Sequence, residues 1–323
     1  MYYPRFPQKG ETIGICAPSA GVGNSLEGYQ LALQQLSQFF QIKETAHVRS
    51  NGVRSTDAKT RAQEVMELFA DENCQMVICA RGGEFLFEIL PEIDFTLLTQ
   101  HPKWFLGASD PTSLLYCLTT KYDIATLYGQ SATSFDVKHK YLDDCLQLMQ
   151  GQLITQTNYD FYQKPDYEAT TIVYDQKVSY LQNQDEIMLS GRLIGGCIDV
   201  IKNIINTPYD GTLDFINRYQ NDGIIWFFDN YALSAEDFYL TILQMKYAGY
   251  FQHTKAIING RTVFPASFTG LTYFEALKMA LPDIAIISEA DIGHTKPRMT
   301  LINGSYATIC AKNKTFTINF ELK

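Results

Sequence analysis

Short apolar runs alternate with helix-length amphipathic segments through the first half of the chain, and this alternation is the feature that most restricts its fold. Residues 12–16, 76–80 and 104–107 are predicted to be buried strands. Residues 26–40 and 57–70 carry apolar side chains at helical spacing. Strands that alternate with helices form a parallel sheet covered by helices, and functional residues gather beyond the carboxyl ends of such strands.

This alternation stops between residues 151 and 190, where the sequence becomes polar and aromatic and contains Lys164-Pro165-Asp166. We interpret the segment as a crossover between an α/β domain (1–150) and a carboxy-terminal domain (191–323).

The second half begins with the segment GRLIGG and continues with an apolar strand at 223–228. A helix is predicted from Ser234 to about Gly249, and the chain ends in short strands around the Asn303-Gly304 turn. The predicted fold class is α/β with two domains. The amino-terminal domain has a parallel sheet flanked by helices, and the carboxy-terminal domain is mixed α/β.

Charge and cysteine content exclude several classes of function. The net charge of −9 leaves no surplus of cations to displace counterions, which disfavours nucleic-acid binding. A secretion signal and an apolar run of about 18 residues are both missing, so we expect a cytoplasmic protein without a membrane span. The seven cysteines include no CxxC pair and the five histidines are scattered, which favours reduced thiols over a zinc site.

Ser109 is the first candidate for a catalytic residue. The strand before it ends at Gly107, and Asp110-Pro111 predicts a helix start with Asp110 as N-cap and proline at the first helical position. Ser109 then lies on a tight turn, where its hydroxyl reaches solvent and backbone N–H groups could stabilise an oxyanion. The alternative is that Ser109 only helps Asp110 to cap the helix.

A second candidate segment is Arg81-Gly82-Gly83, which follows the strand at 76–80. Paired glycines let backbone N–H groups approach a ligand closely. The alternative is an ordinary turn between strand and helix. A dinucleotide site is disfavoured, because the sequence lacks both the G-x-G-x-x-G spacing and a P-loop lysine.

The second half supplies a histidine and two acids. His294 follows a glycine in a polar loop after a predicted strand, although loop histidines are commonly just solvated. Asp229 ends an apolar strand, where a carboxylate could orient an imidazole, but an acid there is also typical of a loop before a helix. Glu236 is a rival acid, and its position in the first helical turn is typical of capping.

These segments together resemble one family, the LD-carboxypeptidases and the related microcin C self-immunity peptidases. The resemblance extends over about 280 residues and keeps the segments in the family's order. It is carried by IGICAPS, RGG, GASDPT, GRLIGG and GHTKP. The family's fold would place an α/β amino-terminal domain beside a carboxy-terminal domain that holds the acid and the histidine.

The resemblance implies a role for each candidate. Ser109 corresponds to the family's nucleophile and His294 to its base. The oxyanion donors would be the backbone N–H groups of Asp110 and of Gly82 or Gly83. The site would lie between the domains, and members of the family form dimers, so a homodimer is expected.

Three positions depart from the family pattern. The glutamate that orients the histidine corresponds here to Asp229, which is one methylene shorter. Ala108 replaces the tyrosine before the nucleophile, and Cys197 replaces an asparagine after the second Gly-Gly pair. These changes alter the expected pocket, so the resemblance defines the type of reaction more closely than it defines the substrate.

The expected reaction is hydrolysis of an amide near the carboxyl end of a small peptide. The resemblance implies an L,D-linked murein peptide, whose terminal carboxylate Arg81 could bind through two hydrogen bonds. A peptidyl-nucleotide antibiotic is the alternative substrate, and a catalytically weak peptide-binding relative is a third possibility. Neither a metal nor an organic cofactor is expected, and neither nucleic acid nor a membrane is expected as a partner.

Overall fold

The computed structural model describes residues 1–163 and 173–323 of the protein. Contacts divide the chain into two units, which are described separately. The first comprises Met1–Leu153 and Thr300–Asn303, and the second comprises Ile154–Met299 and Gly304–Lys323. The predicted breaker Lys164-Pro165-Asp166 lies outside the described residues.

The first unit is built on a six-stranded sheet. Its strands in spatial order are β14 (Leu301–Asn303), β5 (Thr126–Tyr128), β4 (Trp104–Gly107), β3 (Cys74–Cys79), β1 (Thr12–Cys16) and β2 (Gln41–Glu44). Strands β1 to β5 run parallel, which confirms the predicted parallel sheet. Strand β14 is antiparallel to β5 at one edge and comes from late in the chain, a pairing that no local pattern predicts.

Five α-helices accompany this sheet in the described residues. They are α1 (Leu26–Leu36), α2 (Ala58–Ala70), α3 (Phe95–Gln100), α4 (Thr112–Thr120) and α5 (Lys140–Met149). Helix α1 is shorter than the predicted segment 26–40, because the chain turns after Leu36 so that β2 can pair with β1. Helix α2 begins where the Asp57 side chain accepts a hydrogen bond from the Thr60 N–H.

The second unit contains an eight-stranded mixed sheet. Its strands in spatial order are β6 (Gln156–Thr157), β16 (Thr315–Glu321), β15 (Tyr306–Lys312), β10 (Ile187–Cys197), β11 (Ile224–Asp229), β12 (Thr254–Gly260), β13 (Ala285–Ala290) and β9 (Leu181–Gln182). Strands β10 to β13 are parallel, and antiparallel strands lie on both sides of them. A separate antiparallel pair is formed by β7 (Phe161–Gln163) and β8 (Tyr174–Lys177).

Four α-helices belong to this unit in the described residues: α6 (Ile198–Ile204), α7 (Thr212–Arg218), α8 (Ala235–Tyr247) and α9 (Tyr273–Ala280). The predicted helix after Ser234 is confirmed as α8, and the Ser234 hydroxyl accepts a hydrogen bond from the Asp237 N–H. Together the two sheets confirm the predicted α/β class, with a parallel sheet in the amino-terminal part and a mixed sheet in the carboxy-terminal part.

The candidate residues lie at or just beyond the carboxyl ends of parallel strands. In the first unit β3 ends just before the Arg81-Gly82-Gly83 turn, and β4 ends two residues before Ser109. In the second unit β11 ends at Asp229, and β13 ends four residues before His294. Parallel strands have their carboxyl ends at the same end of the sheet. In each unit the candidate residues therefore lie at that end of its own sheet.

Candidate active site

Ser109 lies on a sharp turn between β4 and α4. Its φ of 67° is in the left-handed region, which a serine rarely adopts because its Cβ crowds the backbone. Its N–H donates a hydrogen bond to the Tyr128 hydroxyl at 3.2 Å. Gly107 permits the turn, since a Cβ there would lie 2.7 Å from Pro111 Cβ. A strained strand-turn-helix connection is the arrangement that presents a nucleophilic serine in many hydrolases.

The predicted N-cap role of Asp110 is wrong. Pro111 occupies the N-cap position of α4, and no side chain caps the helix there. The buried Asp110 carboxylate instead accepts hydrogen bonds from the Ser19 hydroxyl and from the Leu86 N–H, the latter at 2.7 Å. Burial raises the pKa of Asp110, and the hydrogen bonds from Ser19 and Leu86 oppose this rise. The idea that Ser109 merely assists a capping aspartate is therefore also wrong.

The Gly-Gly turn lies against the Ser109 side chain. A Cβ placed on Gly82 would be 3.1 Å from Ser109 Cβ and 3.4 Å from Ser109 Oγ. A Cβ on Gly83 would be 2.2 Å from Ser19 Oγ, so a side chain there would have to displace the Ser19 hydroxyl. Arg81, which precedes the two glycines, is half-buried. The first unit thus brings the Gly-Gly turn and the serine side chain together.

Gly82→Ala should lower turnover by about 10-fold, because the added methyl lies close to Ser109 Cβ and pushes the serine out of line with the reacting groups. Steady-state kinetics and a thermal unfolding curve measure the effect. Gly28→Ala is the matched control, since Gly28 lies in α1 with its nearest neighbour atom at 3.4 Å, and its turnover should not change. A Gly82→Ala enzyme with unchanged turnover would show that this turn does not border the reacting atoms.

Asp229 and His294 form a hydrogen-bonded pair in the second unit. The imidazole Nδ1 lies 2.8 Å from Asp229 Oδ2 and 3.0 Å from Oδ1. The aspartate side chain is fully buried, whereas 17% of the histidine side chain is exposed. When Nδ1 donates its hydrogen to the carboxylate, Nε2 is left as the proton acceptor, the arrangement of a general base oriented by an acid.

The loop that carries His294 fits closely around the acid. Gly293 has a φ of 100°, and a Cβ on it would be 2.1 Å from Asp229 Oδ1. The Gly293 carbonyl accepts a hydrogen bond from Arg298 at 2.9 Å. A buried ion pair at 3.0 Å between Arg261 and Asp291 ties the start of the loop to the end of β12. These contacts hold the histidine within hydrogen-bond distance of Asp229.

Glu236, the rival acid, is engaged elsewhere. One of its carboxylate oxygens accepts hydrogen bonds from Ser267, Phe268 and Thr269. Hydrogen bonding, chiefly from the Thr269 side chain, lowers its pKa to about 2. Of the two acids considered, Asp229 is the one that contacts His294.

Four residues near these groups were not singled out from the sequence. In the first unit, Ser19 hydrogen-bonds Asp110 and Tyr128 hydrogen-bonds Ser109. In the second, Tyr231 packs against His294, and Asp199 accepts a hydrogen bond from the Tyr231 N–H. Tyr128, Tyr231 and Asp199 each lie at, or within two residues of, the carboxyl end of a strand. That position is the sequence signal that could have identified them.

Two further observations concern the described residues. Within 1–163 and 173–323, no group of three or more His, Cys, Asp or Glu side chains is placed to hold a metal ion. In the same ranges, none of the helices combines the length and apolar character needed to span a bilayer.

Comparison with known proteins identifies the family. Residues 13–129 match the LD-carboxypeptidase N-terminal domain, and residues 190–309 match the LD-carboxypeptidase C-terminal domain. The chain belongs to the LD-carboxypeptidase family, peptidase family S66, as the sequence motifs indicate. It is therefore a serine peptidase with a carboxypeptidase-type function.

Individual relatives have low sequence identity over long alignments. A Vibrio cholerae protein named "putative carboxypeptidase" is 26% identical, and the alignment covers 98% of each chain. A Bacillus subtilis protein named "probable murein peptide carboxypeptidase" is 28% identical over 65% of this chain and 61% of its own length. The microcin C7 self-immunity protein MccF of Escherichia coli is 24% identical over 82% of this chain and 79% of its own.

Solved structures share the fold. An MccF-like protein from Bacillus anthracis superposes with a TM-score of 0.84 at 23% identity, covering 100% of both chains. A muramoyltetrapeptide carboxypeptidase from Oxalobacter formigenes gives a TM-score of 0.76 at 20% identity, covering 96% of this chain and 99% of the other.

Proposed function

We propose that the protein removes a terminal residue from a small L,D-linked murein peptide by a serine acyl-enzyme mechanism. The observation that carries this proposal is the Asp229–His294 pair, in which a buried carboxylate lies 2.8 Å from the imidazole Nδ1. The strained Ser109 turn supplies the nucleophile. Family membership and the printed name of the Bacillus subtilis relative support the murein substrate.

In the proposed reaction His294 takes the proton of the Ser109 hydroxyl as its oxygen attacks the amide carbonyl. The oxyanion accepts hydrogen bonds from the backbone N–H groups of Asp110 and of Gly82 or Gly83. The protonated imidazole then gives its proton to the leaving amine, and Asp229 stabilises the charge in between. Water activated by the same histidine hydrolyses the ester and regenerates the serine.

Arg81 is proposed to bind the terminal carboxylate of the substrate. It directly precedes the glycine turn that lies against Ser109, and a guanidinium can bind a carboxylate through two parallel hydrogen bonds. Such a contact would select peptides with a free carboxyl end, which is what distinguishes a carboxypeptidase from an endopeptidase.

The protein is also proposed to act in the cytoplasm as a homodimer. The seven cysteines, all within the described residues, are thiols rather than disulfides, and six of them are buried. Reduced cysteines are typical of a cytosolic compartment. The dimer follows the family expectation, and size-exclusion chromatography with light scattering measures it directly.

A peptidyl-nucleotide antibiotic is the second candidate substrate. The similarity to MccF over 82% of this chain favours it. Both substrates present an amide to the same serine, so the mechanism is common to the two proposals and only the group beyond the scissile bond differs.

Incubation with a panel of peptides followed by mass spectrometry tests the function. We expect loss of the terminal residue from a murein tetrapeptide that ends in a D-amino acid. An analogue with an amidated carboxyl end and one with a terminal L-residue should remain intact, and Ser109→Ala should cleave none. Cleavage restricted to an aminoacyl-sulfamoyl nucleoside would favour the antibiotic substrate instead.

A fluorophosphonate probe separates an enzyme from a peptide-binding relative. Only a serine activated by a base reacts with this probe, so we expect labelling that Ser109→Ala abolishes. Peptide binding without either labelling or cleavage would contradict the proposed hydrolysis.

A further inference from the structure

An aromatic ring packs against the candidate base. The centroids of the Tyr231 and His294 rings are 4.5 Å apart and their planes are inclined by 42°. Phe264 meets Tyr231 edge-on, with centroids 5.1 Å apart and an interplanar angle of 86°. Tyr231 therefore contacts both the imidazole and a second aromatic ring, and its own ring limits the space into which His294 can rotate.

The backbone of Tyr231 is anchored by one carboxylate. Asp199 accepts hydrogen bonds from the N–H groups of Tyr231 at 2.9 Å and Ala232 at 3.0 Å. Hydrogen bonds to an ionised acceptor are roughly twice as strong as neutral ones, and a pair of them fixes both position and direction. The loop after β11 is thus held at the residue whose ring contacts the base.

The anchor lies in the first turn of α6, which directly follows the strand next to the acid. Asp199 follows Cys197, which ends β10 and pairs in register with Asp229 at the end of β11. The same loop is also held by the buried Asn230 side chain. This side chain accepts a hydrogen bond from the Leu233 N–H and donates one to the Leu233 carbonyl. The neighbouring carboxyl ends of β10 and β11 therefore determine the geometry of the loop after β11, and Asp229 lies at the same end of the sheet.

We propose that Asp199 and Tyr231 are positioning residues for His294. The hydrogen bonds to Asp229 hold only one nitrogen, so the imidazole could still swing about Nδ1 and move Nε2. Packing of the Tyr231 ring against the imidazole removes this freedom, and Asp199 holds the ring in place. This inference rests on the proposed role of His294 as the base.

Tyr231→Ala should lower kcat by about 10- to 100-fold with an unchanged KM, because a base displaced by about 1 Å transfers the proton poorly while substrate binding is unaffected. Tyr231→Phe should keep turnover near the native value, since the packing surface is the ring. Steady-state kinetics with the best peptide of the panel measures both constants. Tyr247→Ala, which removes an 81% exposed tyrosine of α8, is the matched control and should change neither.

A double-mutant cycle tests whether Asp199 acts through Tyr231. Asp199→Ala should also lower kcat. In the double variant with Tyr231→Ala, kcat should fall no further than in Tyr231→Ala alone, because the ring that Asp199 holds is already absent. Thermal midpoints of all variants show whether they are folded. A loss of kcat in Tyr231→Ala that Tyr231→Phe restores, at a similar midpoint, is not expected of general destabilisation.

Three outcomes would overturn the inference. A raised KM with native kcat in Tyr231→Ala would mean that the ring contacts the substrate rather than the base. Fully additive losses in the cycle would mean that Asp199 acts independently. Native kinetics in Tyr231→Ala, with His294→Ala inactive, would contradict the inference alone, whereas an active His294→Ala would contradict the proposed function itself.

Discussion

Ser109→Ala is expected to lower peptide turnover by about 10⁴- to 10⁶-fold, the loss seen when the nucleophile of a catalytic triad is removed. The substitution deletes one hydroxyl from a half-buried side chain and keeps the Cβ, so the strain of the left-handed turn does not change. The thermal midpoint should therefore match that of the native protein. Turnover by mass spectrometry and a thermal unfolding curve measure both effects.

The exposed Ser37 at the end of α1 provides a control, and Ser37→Ala should retain native turnover. Fluorophosphonate labelling should disappear from the Ser109 variant and persist in the control. Turnover by Ser109→Ala within about tenfold of the native enzyme would remove this residue as the nucleophile, since a triad cannot lose its nucleophile at so small a cost.

Asp229→Asn is expected to lower turnover by about 10⁴-fold while the fold persists. An asparagine keeps the shape of the acid but presents a donor or a neutral acceptor to Nδ1. The imidazole then favours the wrong tautomer, and its charged form loses the buried carboxylate that lies 2.8 Å away. Steady-state kinetics and thermal unfolding distinguish this effect from a loss of structure.

Glu236→Gln is the control for this variant and should keep native turnover. The Glu236 carboxylate is bound to the 267–269 loop, and a glutamine oxygen can accept the same hydrogen bonds. Undiminished turnover in Asp229→Asn would take this aspartate out of the mechanism. A large loss in Glu236→Gln together with an intact Asp229→Asn would assign the role to the glutamate.

Asp229→Glu introduces the acid that the family resemblance implies at this position and is the sharper test. Both aspartate oxygens already lie within 3.0 Å of Nδ1, and the Gly293 backbone adjoins Oδ1 so closely that a Cβ there would be 2.1 Å away. An additional methylene has no space without moving the loop, so activity should fall. Turnover equal to or above the native value would show that the loop yields to the longer acid.

Local sequence patterns predicted the elements on which the candidate site depends. The strand Trp104–Gly107 was predicted at its observed limits, and α8 begins after the predicted cap Ser234. Apolar runs and N-cap residues act within a few positions along the chain, so they can be read without knowledge of tertiary contacts. Helix α1 was predicted four residues too long because apolar spacing continues into the turn before β2.

Asp110 shows where such local reasoning fails. Its position before a proline is typical of a cap, yet its carboxylate hydrogen-bonds Ser19, which is 91 residues away in sequence, and the Leu86 N–H. A buried carboxylate binds whichever donors the folded interior provides, and the sequence around it does not reveal them.

By itself, the sequence determined the α/β class, the strand ends that carry Ser109 and Asp229, and the family, because each depends on periodicity or on an ordered set of short motifs. Only the tertiary structure decided that Asp229 rather than Glu236 contacts His294, and that Tyr231 packs on the imidazole. Asp229 and His294 are 65 residues apart in sequence. Their contact depends on the spatial order of β11, β12 and β13 and on the loop at Gly293, and sheet order arises from long-range packing that local preferences do not encode.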